Sequence, residues 1–436
     1  MVLRYASVVC VIWCLLSYAH ASRRVKSDIL PRSVHAFMYL WYGEPDTDGA
    51  YKHWNHEVLP HWEPRINTMY PNIGKRFNPP RDVHSPFYPL HGPYSSINKD
   101  VLHRQFKEMT HAGIDVAVVS WWGQKDKPYA TDTQGVNTDE AFARLLQEAD
   151  VFNSAQTAGD KGATSGRHIK IALHLEPYPS RSVTSVHDDL QYLQTNYGHH
   201  SCLFRSIDGR PVYYVYDSYH IASAQWSRLL SRDGDLSVRN TPADGVMLGL
   251  WLDHHHGRDL HDAHFDGFYT YFGANGFSYG STAMNWANMC VFARKTKMVC
   301  GLSVGPGYND TLIRPWNERN TRSRDGGRYY ESMWQQALKA RPAVISITSY
   351  NEWGEGTQIE PARSFWLQRR SALEPLRSDS LDILGRSTVQ VTSEQLQRGI
   401  DLDKLAERLE DHASLDGLPL YSSPHAEVRL KPCCAS

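Results

Sequence analysis

Eight short apolar runs, each parted from the next by a longer amphipathic or polar stretch, constrain this chain more than any other feature. They cover residues 37–42, 116–121, 169–176, 212–217, 246–252, 268–271, 298–304 and 344–350. Most are β-branched or aromatic and apolar on both faces, as strands of a parallel sheet covered on both sides must be. Helical stripes lie between them. Val101, Leu102, Phe106 and Met109 share a face over 98–112, with Gly113 as a left-handed stop. Phe142, Leu145, Leu146 and Ala149 do so over 138–152, where Asn137 and Glu140 are expected to form a capping pair. Further stripes cover 182–197 and 330–340, whereas the stretch after the fifth run carries a weak one. Eight strands alternating with helices over about 320 residues predict an α/β fold, a (β/α)8 TIM barrel. A doubly wound sheet would carry a Gly-rich phosphate turn after its first strand, and Trp41-Tyr42-Gly43-Glu44-Pro45 cannot serve as one.

The rest of the chain divides around that core. Residues 1–21 read as a signal peptide or signal anchor: Arg4, an apolar stretch, then Ala19-His20-Ala21. Both outcomes place the remainder in a secretory lumen or outside the cell. Membrane contact is expected only through that segment, if it is retained. Residues 22–33 read as a stem, 34–362 as the barrel domain, and 363–436 as a C-terminal extension. In the extension, 393–410 has a helical pattern that would close the barrel or lie outside it. Residues 43–97 form a connection rich in Pro, His, Trp and Tyr, and loops that long are uncommon unless functional. Beyond the N-terminal segment, five cysteines remain, with no zinc spacing and with their pairing open. Asn309-Asp310-Thr311 is a glycosylation sequon.

The 46 Lys and Arg against 47 Asp and Glu argue against nucleic acid as a partner. The 13 Trp and 24 Tyr suit sugar faces, though such rings also fill cores. In a parallel barrel the reactive groups belong at the carboxyl ends of the strands. There the sharpest pair is Glu352 and Glu355, in a run with Gly354 and Gly356 that lets the backbone bend. Two carboxyls sharing a cavity push their pKa values apart, giving an acid and a base as glycoside hydrolysis requires. A helix N-terminus decorated with acids is the plainer reading. Glu176 is a third acid or a partner of His174. Asp253-His254-His255-His256, with His261 and His264, lacks the spacing of a known metal motif, and no metal is expected there.

Eight ordered motifs carry a resemblance. They are Tyr42-Gly43; His53-Trp54-Asn55-His56 with His61-Trp62; His174-Leu175-Glu176-Pro177-Tyr178; and Val215-Tyr216-Asp217-Ser218-Tyr219. After these come the run from Phe265 through Asp266, Gly267 and Tyr271 to Phe272, Ser303-Val304-Gly305-Pro306-Gly307-Tyr308, Arg314-Pro315-Trp316-Asn317, and the run from Asn351 to Gln358. Together they resemble glycoside hydrolase family 99, the endo-α-1,2-mannosidases, over roughly residues 34–362. The resemblance implies retaining cleavage of an internal α-1,2-mannosidic bond beside a capping α-1,3-linked glucose or mannose, through a 1,2-anhydro sugar. It implies an oligosaccharide or N-glycan substrate and no cofactor. By the same resemblance Glu352 is the base for the 2-hydroxyl and Glu355 the general acid. Tyr42, Trp122, His174, Glu176, Tyr216, Tyr271, Arg314 and Asn351 would hold the sugars. Trp122 stands where vertebrate Golgi members have Tyr and mannan-cutting bacterial members have Trp, which points toward a mannose cap. Two alternatives stay open: an enzyme directed at α-mannan, and a non-catalytic lectin on the same barrel.

Overall fold

The computed structural model describes residues 29–158 and 167–364. The N-terminal targeting stretch, most of the C-terminal extension and its 393–410 pattern lie outside the described residues. Eight parallel strands close into a barrel in chain order: β1 (Ser33–Met38), β2 (Val116–Trp121), β3 (Lys170–Leu175), β4 (Val212–Val215), β5 (Val246–Leu250), β6 (Gly267–Tyr269), β7 (Val299–Val304) and β8 (Val344–Ile347). β1 closes it, pairing His35 with Val116 on one side and Ser33 with Val344 on the other. Both faces of the strands are buried. In β2, Val116 and Val118 point into the barrel core, while Ala117 and Val119 pack under the helices. That double burial is why the runs read as continuously apolar.

The helices that pack around the barrel are α1 (Lys99–His111), α2 (Asp139–Thr157), α3 (Val183–Tyr197), α4 (Ser223–Leu230), α5 (His256–Asp262), α6 (Trp286–Thr296) and α7 (Arg328–Ala340). α1 starts where the Asn98 side chain accepts from the Asp100 and Val101 N–H groups, and Gly113 follows it at a φ of 79°. It buries Leu102, Phe106 and Met109, each such side chain stabilising by roughly 1.5–3 kcal/mol. α2 departs from the expected capping pair. Asn137 accepts from the Asp139 N–H at 2.9 Å, but Glu140 does not reciprocate and lies on the surface 3.9 Å from Lys125. α5, after the fifth strand, is two turns long, which explains its weak stripe. Cys290 on α6 and Cys300 on β7 form a disulfide, and Cys202 is a buried thiol.

β1 ends four residues earlier than expected, at Met38 rather than Tyr42. Beyond it the Asn351 side chain takes the place of a neighbouring strand: Oδ1 accepts from the Tyr39 N–H at 2.7 Å, and Nδ2 donates to the Tyr39 carbonyl at 3.0 Å. The 43–97 connection folds over the mouth of the barrel, and its Phe87–Pro89 segment pairs antiparallel with Ala362–Ser364. No described helix is long and apolar enough to cross a membrane.

Candidate active site

After β8 the chain enters a tight loop rather than a helix, so Glu352 and Glu355 do not decorate a helix N-terminus. The Ser349 hydroxyl accepts from the Glu352 N–H at 2.7 Å, and the Ser349 N–H donates to the Thr357 carbonyl at 3.0 Å. Both glycines in this loop are required. A Cβ on Gly354 would stand 2.8 Å from Cδ2 of the buried His84, and Gly356 has a φ of 61°. The loop is also held from the segment that follows β1. The Tyr42 hydroxyl donates to the Asn351 carbonyl at 2.8 Å and accepts from the Trp353 N–H at 3.3 Å.

Glu352 is 6% exposed, and Glu355 keeps 20% of its side-chain surface open. Arg314 donates from Nη1 to Glu355 Oε1 at 3.1 Å and to Asp310 Oδ2 at 3.2 Å. Burial, then the Glu355 charge, hold the Glu352 carboxyl well above the usual carboxylate range, with Arg314 opposing and Glu176 and Asp132 adding. Burial also raises Glu355, but the adjacent Arg314 restrains it. The two carboxyls therefore titrate as a pair that retains a proton at higher pH than an exposed carboxylate would.

The other predicted residues gather around this pair in two groups. Glu176 lies on the wall beyond β3, with Oε1 accepting from the Ser120 hydroxyl at 2.7 Å. Tyr216 packs edge-on against Tyr271 at 4.8 Å, and the Tyr271 and Tyr39 hydroxyls bond to each other. Trp122 lies after β2, with its backbone N–H on the Thr138 hydroxyl at 3.1 Å and its indole N–H without an acceptor among the described residues. In the second group, three residues expected to touch sugar are otherwise engaged. Asn351 is fully buried and spends its amide on Tyr39 and on the Tyr94 hydroxyl at 3.1 Å. The Tyr42 hydroxyl is committed to the loop backbone. His174 is 1% exposed, sits between the Tyr269 hydroxyl at 2.7 Å and Glu176 Oε1 at 3.0 Å, and stacks on Tyr271. These three bond to the backbone and side chains next to the carboxyl pair and its aromatic wall.

The reading of the motifs left several participants unplaced. Asp310, inside the sequon, is fully buried and accepts from Tyr308, Arg314 and Asn317. Asn309 itself is half-buried and donates its N–H to the Glu355 carbonyl at 2.8 Å, so the sequon belongs to the wall of the site. Asp132 stands 2.8 Å from His53, whose ring stacks on Trp41 at 4.0 Å. His84 packs behind Gly354, and burial lowers its pKa to about 3, leaving it neutral. The histidine wealth of residues 43–97 was the available signal. Elsewhere, Asp253, His255 and His256 have donor atoms within 4.8 Å of one another, but His256 Nδ1 already accepts from the Leu252 and Asp253 N–H groups. A cavity of about 1110 Å³ opens at the opposite end of the barrel. Its Arg210, Arg239, Asp244 and Asp266 pair among themselves, as befits the end of a barrel that carries stability.

A (β/α)8 barrel whose mouth holds two coupled buried carboxyls, an arginine between acids and a wall of Tyr and Trp has the build of a glycoside hydrolase. The sequence model described as Glycosyl hydrolase family 99 matches residues 29–374, and the chain belongs to that family. It is 43% identical over 345 residues to the mouse glycoprotein endo-alpha-1,2-mannosidase-like protein, covering 78% of this chain and 71% of that one. It is 43% identical over 333 residues to the rat glycoprotein endo-alpha-1,2-mannosidase, covering 76% and 68%. The solved GH99 endo-alpha-mannosidase from Bacteroides thetaiotaomicron superposes with a TM-score of 0.69 at 34% identity, over 87% of this chain and 99% of that one.

Proposed function

We propose that the protein is a retaining endo-α-1,2-mannosidase that cleaves the bond beside a capping α-1,3-linked sugar on high-mannose N-glycans. The observation that carries this reading is the Glu352–Glu355 pair on one loop, both raised by burial, with Glu355 ion-paired to Arg314. Glu352 removes the proton of the mannose 2-hydroxyl, whose oxygen attacks its own anomeric carbon. Glu355 delivers a proton to the departing glycosidic oxygen, and a 1,2-anhydro sugar results. Water then attacks the anomeric carbon as Glu355 takes its proton, and Glu352 returns a proton to the 2-oxygen. The residue types suit both halves, since one carboxyl must be ionised while the other is protonated. A hydrogen bond from the 2-hydroxyl to Glu352 would stabilise the carboxylate form of that residue.

The relatives named for glycoprotein endo-alpha-1,2-mannosidase support the mannosidic bond and the N-glycan context. Trp122 favours a mannose cap over a glucose cap, because a bulkier ring narrows the pocket of the capping sugar. The Cys290–Cys300 disulfide suits an oxidising compartment, and with the apolar N-terminal stretch it supports the secretory lumen. The test is product analysis with Glc-α1,3-Man-α1,2-Man and Man-α1,3-Man-α1,2-Man. Release of a capped disaccharide is expected, faster from the mannose-capped substrate. Binding without release would move the protein to the lectin reading.

A further inference from the structure

Glu360 is a buried carboxyl with no part in the chemistry above. Its contacts reach the loop that carries the catalytic pair directly and through Tyr94, and extend to α1. Oε2 accepts from the Trp353 indole N–H at 3.0 Å and from the Tyr94 hydroxyl at 2.7 Å. The Tyr94 hydroxyl in turn accepts from Asn351 Nδ2 at 3.1 Å. Oε1 accepts from Gln105 Nε2 of α1 at 2.8 Å, and the Glu360 N–H donates to the Tyr350 carbonyl at 2.8 Å. One carboxyl thus grips the residues on both sides of Glu352: Trp353 directly and Asn351 through Tyr94. Asn351 is the side chain that stands in for a strand beside β1.

We propose that Glu360 is a positioning residue for the catalytic loop, its ionised carboxylate fixing Asn351 and Trp353 so that Glu352 and Glu355 keep their reactive geometry. The proposal rests on the assignment of that pair above.

Three donors point at this carboxyl, which is the environment of an anion. A proton on Oε1 could be received only by turning the Gln105 amide, whose oxygen has no partner among the described residues. The titratable and charged groups facing Glu360 are Glu108 and Arg104 on α1, Tyr94 and Tyr42 on the mouth side, and Tyr350 behind β8. Burial, then the Glu108 charge, raise the Glu360 pKa to about 7, against the Gln105 and Tyr94 hydrogen bonds and Arg104. The grip therefore weakens as pH falls through the neutral range.

The experiment measures kcat and KM from pH 5 to 8 for the wild type, Glu360→Gln and Tyr94→Phe. Losing a charge-assisted contact predicts a roughly tenfold lower kcat above pH 7 for Glu360→Gln, with KM changed by no more than about twofold. The wild-type acid limb should lose one ionisation in that variant and keep it in Tyr94→Phe, whose kcat also falls. A kcat and acid limb like the wild type's, or a rise in KM alone, would overturn the proposal. Should Glu360→Gln fail to fold, Tyr94→Phe decides by the same kcat and KM criterion. Thermal stability gives a readout that needs no substrate. A carboxyl raised in the fold stabilises below its unfolded pKa, and that contribution is lost as pH rises through its folded value. The variant lacks this loss, so its Tm relative to the wild type should rise between pH 5 and 8. A difference independent of pH overturns the ionised grip. Cleavage by the wild type with unaltered variants removes this inference alone. No cleavage by the wild type removes the functional reading and this inference together.

Discussion

At the scale of single residues, the site divides into groups that face the cleft and groups that hold them. Glu355, with a fifth of its side chain open, can reach a leaving oxygen. Replacing it with Gln keeps the shape and removes the transferable proton, so kcat should fall by roughly 10²–10⁴ in a disaccharide-release assay. A rate near that of the wild type would refute the role. Arg314 opposes the upward shift of both carboxyls. Its loss removes a cation from the anionic state, so Arg314→Gln should move both limbs of the kcat/KM profile to higher pH. A profile that stays put, or moves to lower pH, would mean that Arg314 does not set the ionisation of the pair. Trp122→Tyr should shift preference toward the glucose-capped substrate. Competition between the two capped trisaccharides reads this directly, and an unaltered ratio would remove Trp122 from specificity.

At the scale of elements, the loop after β8 is where geometry is most exacting. Gly354 allows the loop to lie against His84, a ring hemmed in by His53 and His56. Gly354→Ala must push that ring or the loop. Overpacking of this kind costs about 1–3 kcal/mol, and a displaced carboxyl pair should also lose kcat, roughly tenfold or more. Unchanged kcat and Tm would show that the loop tolerates the shift. The strand runs and the stripes of α1, α2, α3 and α7 were legible because double burial and amphipathic packing write themselves into residue order. The end of β1 was not. Nothing local marks Met38 as the last paired residue, because a side chain 312 positions away takes over from the neighbouring strand. The α2 cap was misread for a similar reason: spacing shows that Glu140 could reach back, but not that it turns toward solvent.

For the whole molecule, the disulfide joins a helix to the neighbouring strand across a short loop. By chain entropy it should contribute about 3 kcal/mol. Replacing both Cys290 and Cys300 with Ser should therefore lower Tm by several degrees, as read by calorimetry, while leaving kcat near that of the wild type. A large loss of kcat at a temperature well below Tm would instead tie α6 and β7 to the geometry of the site.

The order of strands and helices, the barrel they build, the carboxyl pair and the family follow from the sequence by itself. Each is written in local periodicity or in motifs whose residues are near neighbours in the chain. The tertiary structure decided which polar side chains are tied up by other protein groups. Tyr42, His174 and Asn351 are the same kinds of residue as those lining the cleft, and only burial and partner distances separate them. It also decided that the sequon forms part of the wall and that Glu360 stands behind the catalytic loop. These are contacts between segments far apart in the chain, fixed by how the barrel closes, and no local pattern encodes them.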